Sequence, residues 1–221
     1  MTSFMIAVDG PAGSGKGTLA KRLAQHYNLA HLDTGLLYRG VGWKLIHINQ
    51  PTDNVKLATI AAQNLTPQDL NDPHLRSDEA AVAASQVAQY PQVREALFSF
   101  QKNFIQHPPK NKKGVILDGR DVGTIICPQA PYKFFITASL EIRAKRRLEE
   151  LKSRNIAGIY EDVFQDMHAR DLRDQAREVA PLRPAQDAIV IDSSDKNADN
   201  VFRIAQEYID THPCTEMTLR G

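Results

Sequence analysis

Residues 4–18 read FMIAVDGPAGSGKGT, and the fold turns on what this stretch does. Phe4, Met5, Ile6, Ala7 and Val8 form an uncharged apolar run of the kind carried by a strand buried on both faces. Gly10 and Gly15 then bracket four residues and Lys16 follows at once, which is the spacing of a phosphate-cradling loop. That assignment needs a strand before the loop and a helix after it. Leu19, Leu23 and Tyr27 recur at helical spacing, with Lys21 and Arg22 turned elsewhere, so both conditions are met. Glycines let backbone N–H groups converge on an anion, the helix N-terminus adds partial positive charge, and Lys16 adds a full one. A glycine-rich turn without a ligand is the competing reading, and the spacing disfavours it. Gly17 stands where the motif more often has Ser or Thr, with Thr18 next. Direct coordination of Mg²⁺ by a hydroxyl is weakened, and more of the metal's shell falls to water and phosphate.

The totals set the frame for this loop. A chain of 221 residues can bury a sizeable core and suits one large domain with insertions. The formal net charge of +1 provides no global field to recruit nucleic acid or an acidic membrane. Cys127 and Cys214 are far apart, with no signal peptide and no apolar run of membrane-spanning length. They are expected to be reduced thiols in a cytoplasmic protein.

Short buried-strand runs alternate with longer helical ones, the pattern of an α/β fold. Strands are expected at residues 4–8, in NLAHLD ending at Asp33, in GVILDG around Asp118, in YKFFIT and in DAIVID. Helices are expected after the loop, at 36–48, in EAAVAASQVAQ and QVREALFSFQKNF on either side of Tyr90-Pro91, at 140–153, at 161–179 and in NADNVFRIAQEYID. Residues 49–78 are polar, hold three prolines and leave room for at most one short helix, so they read as an insertion on the core. The tail from Thr211 is expected to fray. Five strands with crossover helices predict a three-layer, five-stranded parallel sheet. In such sheets ligands gather at the carboxyl ends of the strands, where Gly10, Asp33 and Asp118 all fall.

Asp118 stands where a nucleotide site needs a second carboxylate, to hold Mg²⁺ or a water of its shell. Arg120 and Asp121 follow, either as an exposed turn ion pair or as a charged edge facing a ligand. Arg143, Arg146 and Arg147 share one helix face, and Arg170, Arg173, Asp174 and Arg177 form a stripe on the next helix. Between Arg143 and Arg183 arginine outnumbers lysine eight to two. That bias suits the two-pronged grip of a guanidinium on phosphate, against the alternative of two solvated helices laced with Glu and Asp. The seven histidines show no metal-ligand spacing, so a zinc site or a His-based triad is not expected. Phe134, Phe135 and Trp43 read as core.

Taken in order, DGPAGSGKGT, LDTGLLYR, AASQVAQYPQVREAL, DGRDVGT, RAKRR and RDLRDQAREVAPL resemble the bacterial cytidylate kinase family. The likeness covers nearly the whole chain except residues 49–78 and the tail. It implies a single P-loop kinase domain with a substrate-binding insertion at about 49–84 and a mobile lid at about 151–160. The implied reaction moves the γ-phosphoryl group of ATP to CMP or dCMP with Mg²⁺, as part of pyrimidine nucleotide metabolism. ATP would be held by the loop residues Gly10, Pro11, Ala12, Gly13, Ser14, Gly15, Lys16, Gly17 and Thr18, with Arg146 and Arg147 over it near the lid. Thr34, Tyr38 and Arg39 would lie by the monophosphate, and Arg120 would reach phosphate. Ser85, Arg94 and Asp121 would read cytosine, while Arg170, Asp174 and Arg177 would contact sugar and phosphates. Lys16, Arg120, Arg170 and Arg177 would carry the catalytic charge, with Asp118 and more weakly Thr18 toward the metal. Many members carry a longer insertion with strands of its own; residues 49–78 lack alternating strand patterning.

The base chemistry agrees with that assignment. Cytosine offers an N4 amino donor beside the N3 and O2 acceptors, so a carboxylate at Asp121 and a guanidinium at Arg94 are complementary to it. Uracil reverses the first two positions. Rival readings are a kinase of the same fold acting on UMP, AMP or shikimate, a GTPase-like switch, and a nucleic-acid binder. The chain has no Asn-Lys-Xaa-Asp guanine motif, and Glu149, Glu150, Asp166, Asp171 and Glu178 interrupt any basic face. The expected partners are small-molecule substrates only, acting on a monomer.

Overall fold

All five apolar runs form strands: β1 (Phe4–Asp9), β2 (Ala30–Asp33), β3 (Gly114–Gly119), β4 (Tyr132–Thr137) and β5 (Ile189–Asp192). They pair in parallel in the order β2-β3-β1-β4-β5 in a computed structural model that describes residues 4–213. Cys214, expected to be a reduced thiol, and the tail beyond it lie outside the described residues. The helices are α1 (Lys16–Tyr27), α2 (Thr34–His47), α3 (Val55–Gln63), α4 (Asp78–Val87), α5 (Pro91–Gln106), α6 (Leu140–Ser153), α7 (Tyr160–Gln175) and α8 (Ala198–Thr211). Thr211, expected to begin the frayed tail, closes α8 instead.

Because β1 is covered on both sides, its alternate residues serve different cores. Ile6 and Val8 join Leu19 and Leu23 of α1, Ile116 of β3 and Val201 of α8. Ala7 joins Val115 and Leu117 of β3 with Leu37 and Val41 of α2 and Val93 and Leu97 of α5. Each fully buried Leu, Ile or Phe contributes about 2 kcal/mol of transfer free energy. Phe134 is such a residue, while Phe135 is half-buried. Side-chain caps set several helix starts: Ser77 accepts from the Ala80 N–H at 3.1 Å, and Asn197 from that of Asn200 at 2.9 Å.

Residues 49–78 hold the one short α-helix that the composition allowed, α3, followed by 3₁₀ turns at Pro67–Asn71 and Pro73–Arg76. Ala58 and Ala62, four apart on α3, and Leu65 are buried in the same core as α2 and α5. Trp43 departs from the core packing expected of it. It is half-buried, donates from Nε1 to Asp72 Oδ2 at 2.9 Å and stacks on His74 with ring centroids 5.0 Å apart. Its indole N–H needs an acceptor, and the turn region supplies one. Helix α7 ends four residues before the expected 179. The chain reverses through Ala180 at φ 55°, and the Leu182 N–H returns to the Asp174 carbonyl at 2.8 Å.

Helices α6 and α7 pack on each other across the carboxyl edge of the sheet. Arg143 fastens them there, donating to Ala138 O at 2.9 Å, to Ala12 O of the glycine loop at 3.2 Å and to Asp171 Oδ2 of α7 at 2.6 Å. This guanidinium, one of the arginine face on α6, is consumed by structure. Removing one partner of a buried ion pair strands the other. Arg143→Ala is therefore expected to cost about 3–5 kcal/mol in urea unfolding; a loss under about 1 kcal/mol would mean that solvent readily replaces the pair. No helix among the described residues is long and apolar enough to cross a membrane.

Candidate active site

Strand parity sorts the carboxylates at the carboxyl edge. Asp33 and Asp118 are register partners on β2 and β3. Asp118 is in phase with Ile116 on the α1 side, whereas Asp9 is in phase with Ala7 on the α2 side. Two neighbouring subsites with different chemistry result.

On the α1 side lies the glycine loop. Gly10 has φ 152°, and a Cβ there would stand 2.1 Å from the Ile136 carbonyl oxygen, so only glycine lets β1 leave the sheet beside β4. Gly13 has φ 72°, and a Cβ would meet Met167 of α7 at 2.9 Å and Arg143 at 3.2 Å, so α6 and α7 press directly on the loop. Lys16 opens α1 and donates to Pro11 O at 3.2 Å. Burial pushes its amino group down to about 7, with Arg120 and Arg170 adding repulsion against the pull of Asp118 and Asp33. An anion placed among these three cations restores the ammonium form.

The Asp118 carboxylate is divided between two neighbours. Oδ1 lies 2.6 Å from His31 Nε2, and Oδ2 faces Gly17, 3.5 Å from where a Cβ would be. Burial and the adjacent Asp118 raise the carboxyl of Asp33 above its usual range. Mg²⁺ is held by one or two carboxylates together with waters and substrate phosphates, and this pair fits that demand. No cluster of three acidic, His or Cys ligands occurs among the described residues. Thr18 is exposed and lines another feature, a cavity of about 260 Å³ bounded by Ser14, Gly15, Arg146, Ser193, Lys196 and Asn197. Arg146 is held at its wall by Ser193 Oγ at 2.9 Å and Ser193 O at 2.5 Å.

The α2 side is an arginine cluster interleaved with the carboxylates of Asp121 and Asp174. Arg120 donates to Asp174 Oδ2 at 2.8 Å, and Arg177 pairs with the other oxygen of Asp174. Burial alone would raise the Asp174 carboxyl, but Arg120, Arg177 and Arg170 together hold it low. Arg170 has a buried Nε without a hydrogen-bond partner. Burial pushes this guanidinium down to about 9, with Arg120, Arg39 and Arg177 adding repulsion. A phosphate is the group that would satisfy this arrangement. Beside it Arg94 is buried in an ion pair with Asp121 and donates to Ala88 O at 3.3 Å. The Tyr38 ring lies 5.6 Å from the Arg94 guanidinium, and burial pushes its hydroxyl up to about 12. Burial also raises the Asp121 carboxyl, against the pull of Arg94, Arg177 and Arg120.

Lys16, Arg120, Arg170, Asp174 and Arg177 are thus brought together, as are Tyr38, Arg94 and Asp121. Other residues are occupied elsewhere. Thr34 Oγ1 donates to Asp118 O at 2.9 Å, and Arg39 donates to Leu75 O at 2.7 Å and Ser77 O at 3.1 Å. Ser85 Oγ accepts from Arg173 Nε at 3.2 Å. Arg147 is turned away from the loop toward Asp78 and Glu150. Sequence reasoning passed over His31, Asp33 as a partner of Asp118, and the cavity wall at 193–197. Alternation in the short strand AHLD puts His31 and Asp33 on one face and could have found them.

Comparison with known proteins bears on this geometry. Residues 6–211 match the family described as cytidylate kinase. A cytidylate kinase of Paramagnetospirillum magneticum is 54% identical over 203 residues, covering 92% of this chain and 96% of that protein. One from Bartonella tribocorum is 43% identical over 221 residues and covers both chains fully. Among solved structures, an uncharacterized protein from Eubacterium ventriosum superposes with a TM-score of 0.51 at 18% identity, covering 95% of this chain and 99% of that one, a likeness of fold alone.

Proposed function

The chain belongs to the cytidylate kinase family, and from that premise we infer that it transfers the γ-phosphoryl group of ATP to CMP or dCMP, giving ADP and CDP or dCDP. The observation that carries this reading is the convergence of Lys16, Arg120 and Arg170, with a buried Arg170 Nε left without a hydrogen-bond partner, an arrangement that a phosphate would complete. Two polyanions must meet for the reaction to occur, and these cations stand where they would meet.

The glycine loop cradles the triphosphate with its backbone N–H groups, and Lys16 neutralises charge on the transferring group. The nucleoside of ATP occupies the cavity beside Arg146, Ser193 and Asn197. Arg170 and Arg177 hold the CMP phosphate, Arg120 bridges the two phosphate sites, and Asp174 orients both guanidiniums while meeting the sugar. Asp121 accepts from the cytosine amino group and Arg94 donates to its ring acceptors. The attacking phosphate oxygen is thereby placed in line, and no covalent enzyme intermediate is needed. Mg²⁺, held beside Asp118 and Asp33, supplies charge neutralisation on the donor phosphates when bound.

Residues 49–84 and 151–160 close over the substrates to exclude water. One contact supports the pairing of these segments, Arg154 Nη1 with Arg76 O at 3.1 Å, and Arg147, one turn before the second segment, pairs with Asp78 of the first. Arg39 leaves its backbone acceptors for the CMP phosphate as this movement occurs. The protein acts as a cytoplasmic monomer on small molecules.

ADP release from ATP and Mg²⁺, with CMP, dCMP, UMP, AMP and shikimate offered separately, tests the reading. Turnover is expected with CMP or dCMP and little with the others. Nucleotide binding without acceptor-dependent turnover would return the chain to the switch reading.

A further inference from the structure

The segment after Asp121 forms a wide turn, Val122–Ile126, with π-type bonds from Ile126 N to Asp121 O at 3.2 Å and from Cys127 N to Val122 O at 2.7 Å. Such turns cluster at functional sites. The first N–H groups of any helical turn need acceptors from outside it. Here one distant side chain takes both: Val122 N donates to Asp9 Oδ1 at 2.8 Å, and Gly123 N to Asp9 Oδ2 at 2.7 Å. Asp9 is buried at the end of β1, one residue before the glycine loop. The packing around it is close, since a Cβ on Gly123 would stand 3.3 Å from Asp9 Oδ2 and 3.3 Å from Lys133 Cδ. Lys133 is itself fastened to Asp187 at 2.6 Å.

We propose that Asp9 is a positioning residue for base selection: by holding the Val122 and Gly123 N–H groups it sets the direction of the neighbouring Asp121 carboxylate, and so the preference for cytosine over uracil. This rests on the reading of Asp121 as the residue that meets the base. Only a carboxylate presents two acceptors in one plane to two successive N–H groups. Asparagine at this position offers one acceptor and sets its amide donors against the second N–H. The turn must then shift, and Asp121 shifts with it against Arg94. The glycine loop is affected less, because Gly10 is located independently by its approach to Ile136 O.

The test is steady-state kinetics with CMP and UMP on Asp9→Asn, Asp121→Asn and the double variant, each checked for folding by circular dichroism. For Asp9→Asn, KM for CMP is expected to rise about tenfold with KM for ATP within about threefold, and the CMP-to-UMP ratio of kcat/KM to fall about tenfold. In the Asp121→Asn background the same change should alter that ratio by less than about twofold, because coupled residues are not additive. A unchanged CMP-to-UMP ratio in Asp9→Asn, or full additivity in the double variant, would overturn the proposal. If Asp121→Asn alone leaves the ratio intact, the base-reading assignment itself fails and takes the proposal with it. Should Asp9→Asn not fold, Gly123→Ala, which crowds the Asp9 carboxylate from the other side, replaces it with the same criteria.

Discussion

Lys16→Ala lowers kcat for CMP phosphorylation by roughly 10³-fold or more, the range seen when a preorganised charge is removed from a transferring phosphoryl group. The fold survives, because Lys16 makes one long bond to Pro11 O and packs no core. The variant also has a pH signature. The Lys16 amino group titrates near 7 in the folded chain against an ordinary value of 10.5, so between those values the unfolded chain holds more protons than the folded one. Stability of the ligand-free protein therefore rises with pH across that window, and the cost of burying the ammonium is present in full below about 7. Lys16→Ala loses this slope. Thermal unfolding between pH 7 and 10 checks it, together with the assay; a variant that keeps more than about a tenth of wild-type kcat would remove the loop from the mechanism.

Asp121→Ala lowers kcat/KM for CMP by about 10²- to 10³-fold while KM for ATP changes by less than about threefold. The loss combines the missing acceptor for the cytosine amino group with a buried Arg94 left without its partner. The second part is a stability effect, so the kinetics must be read on protein shown to be folded at the assay temperature. UMP separates the two parts: its turnover should fall much less, because the carboxylate opposes the O4 of uracil in the wild-type enzyme. Equal losses with CMP and UMP would mean that Asp121 supports the fold and does not read the base.

Much of this molecule was legible along the chain, and the reason differs from place to place. The strands were visible because a sheet covered on both faces demands unbroken apolar runs, as in VILD and FFIT. The phosphate loop was visible because its glycines and Lys16 must sit at fixed spacing. Asp118 could be found from its place at a strand end. Alternation in AHLD marks His31 as sharing a face with Asp33, but its pairing with Asp118, 87 positions away, follows only from the alignment of β2 with β3. The arginine stripes were legible as a composition but not as roles. Arg143 went to the Ala12 carbonyl and Asp171, Arg146 to Ser193 and the cavity wall, and Arg147 to Asp78, although all three share a helix face.

Sequence alone determined the strand order along the chain, the phosphate loop, the family and, through it, the reaction. The strands and the loop are properties of local spacing and periodicity, which neighbouring residues impose on one another. The family and its reaction came through the resemblance of the motifs taken together. Tertiary structure alone decided which arginines converge beside Asp174, that α3 shares the main core, and that Asp9 reaches across to the turn beside Asp121. Charged side chains choose partners by distance in space and by the need to satisfy what is buried, and neither is written in the order of residues.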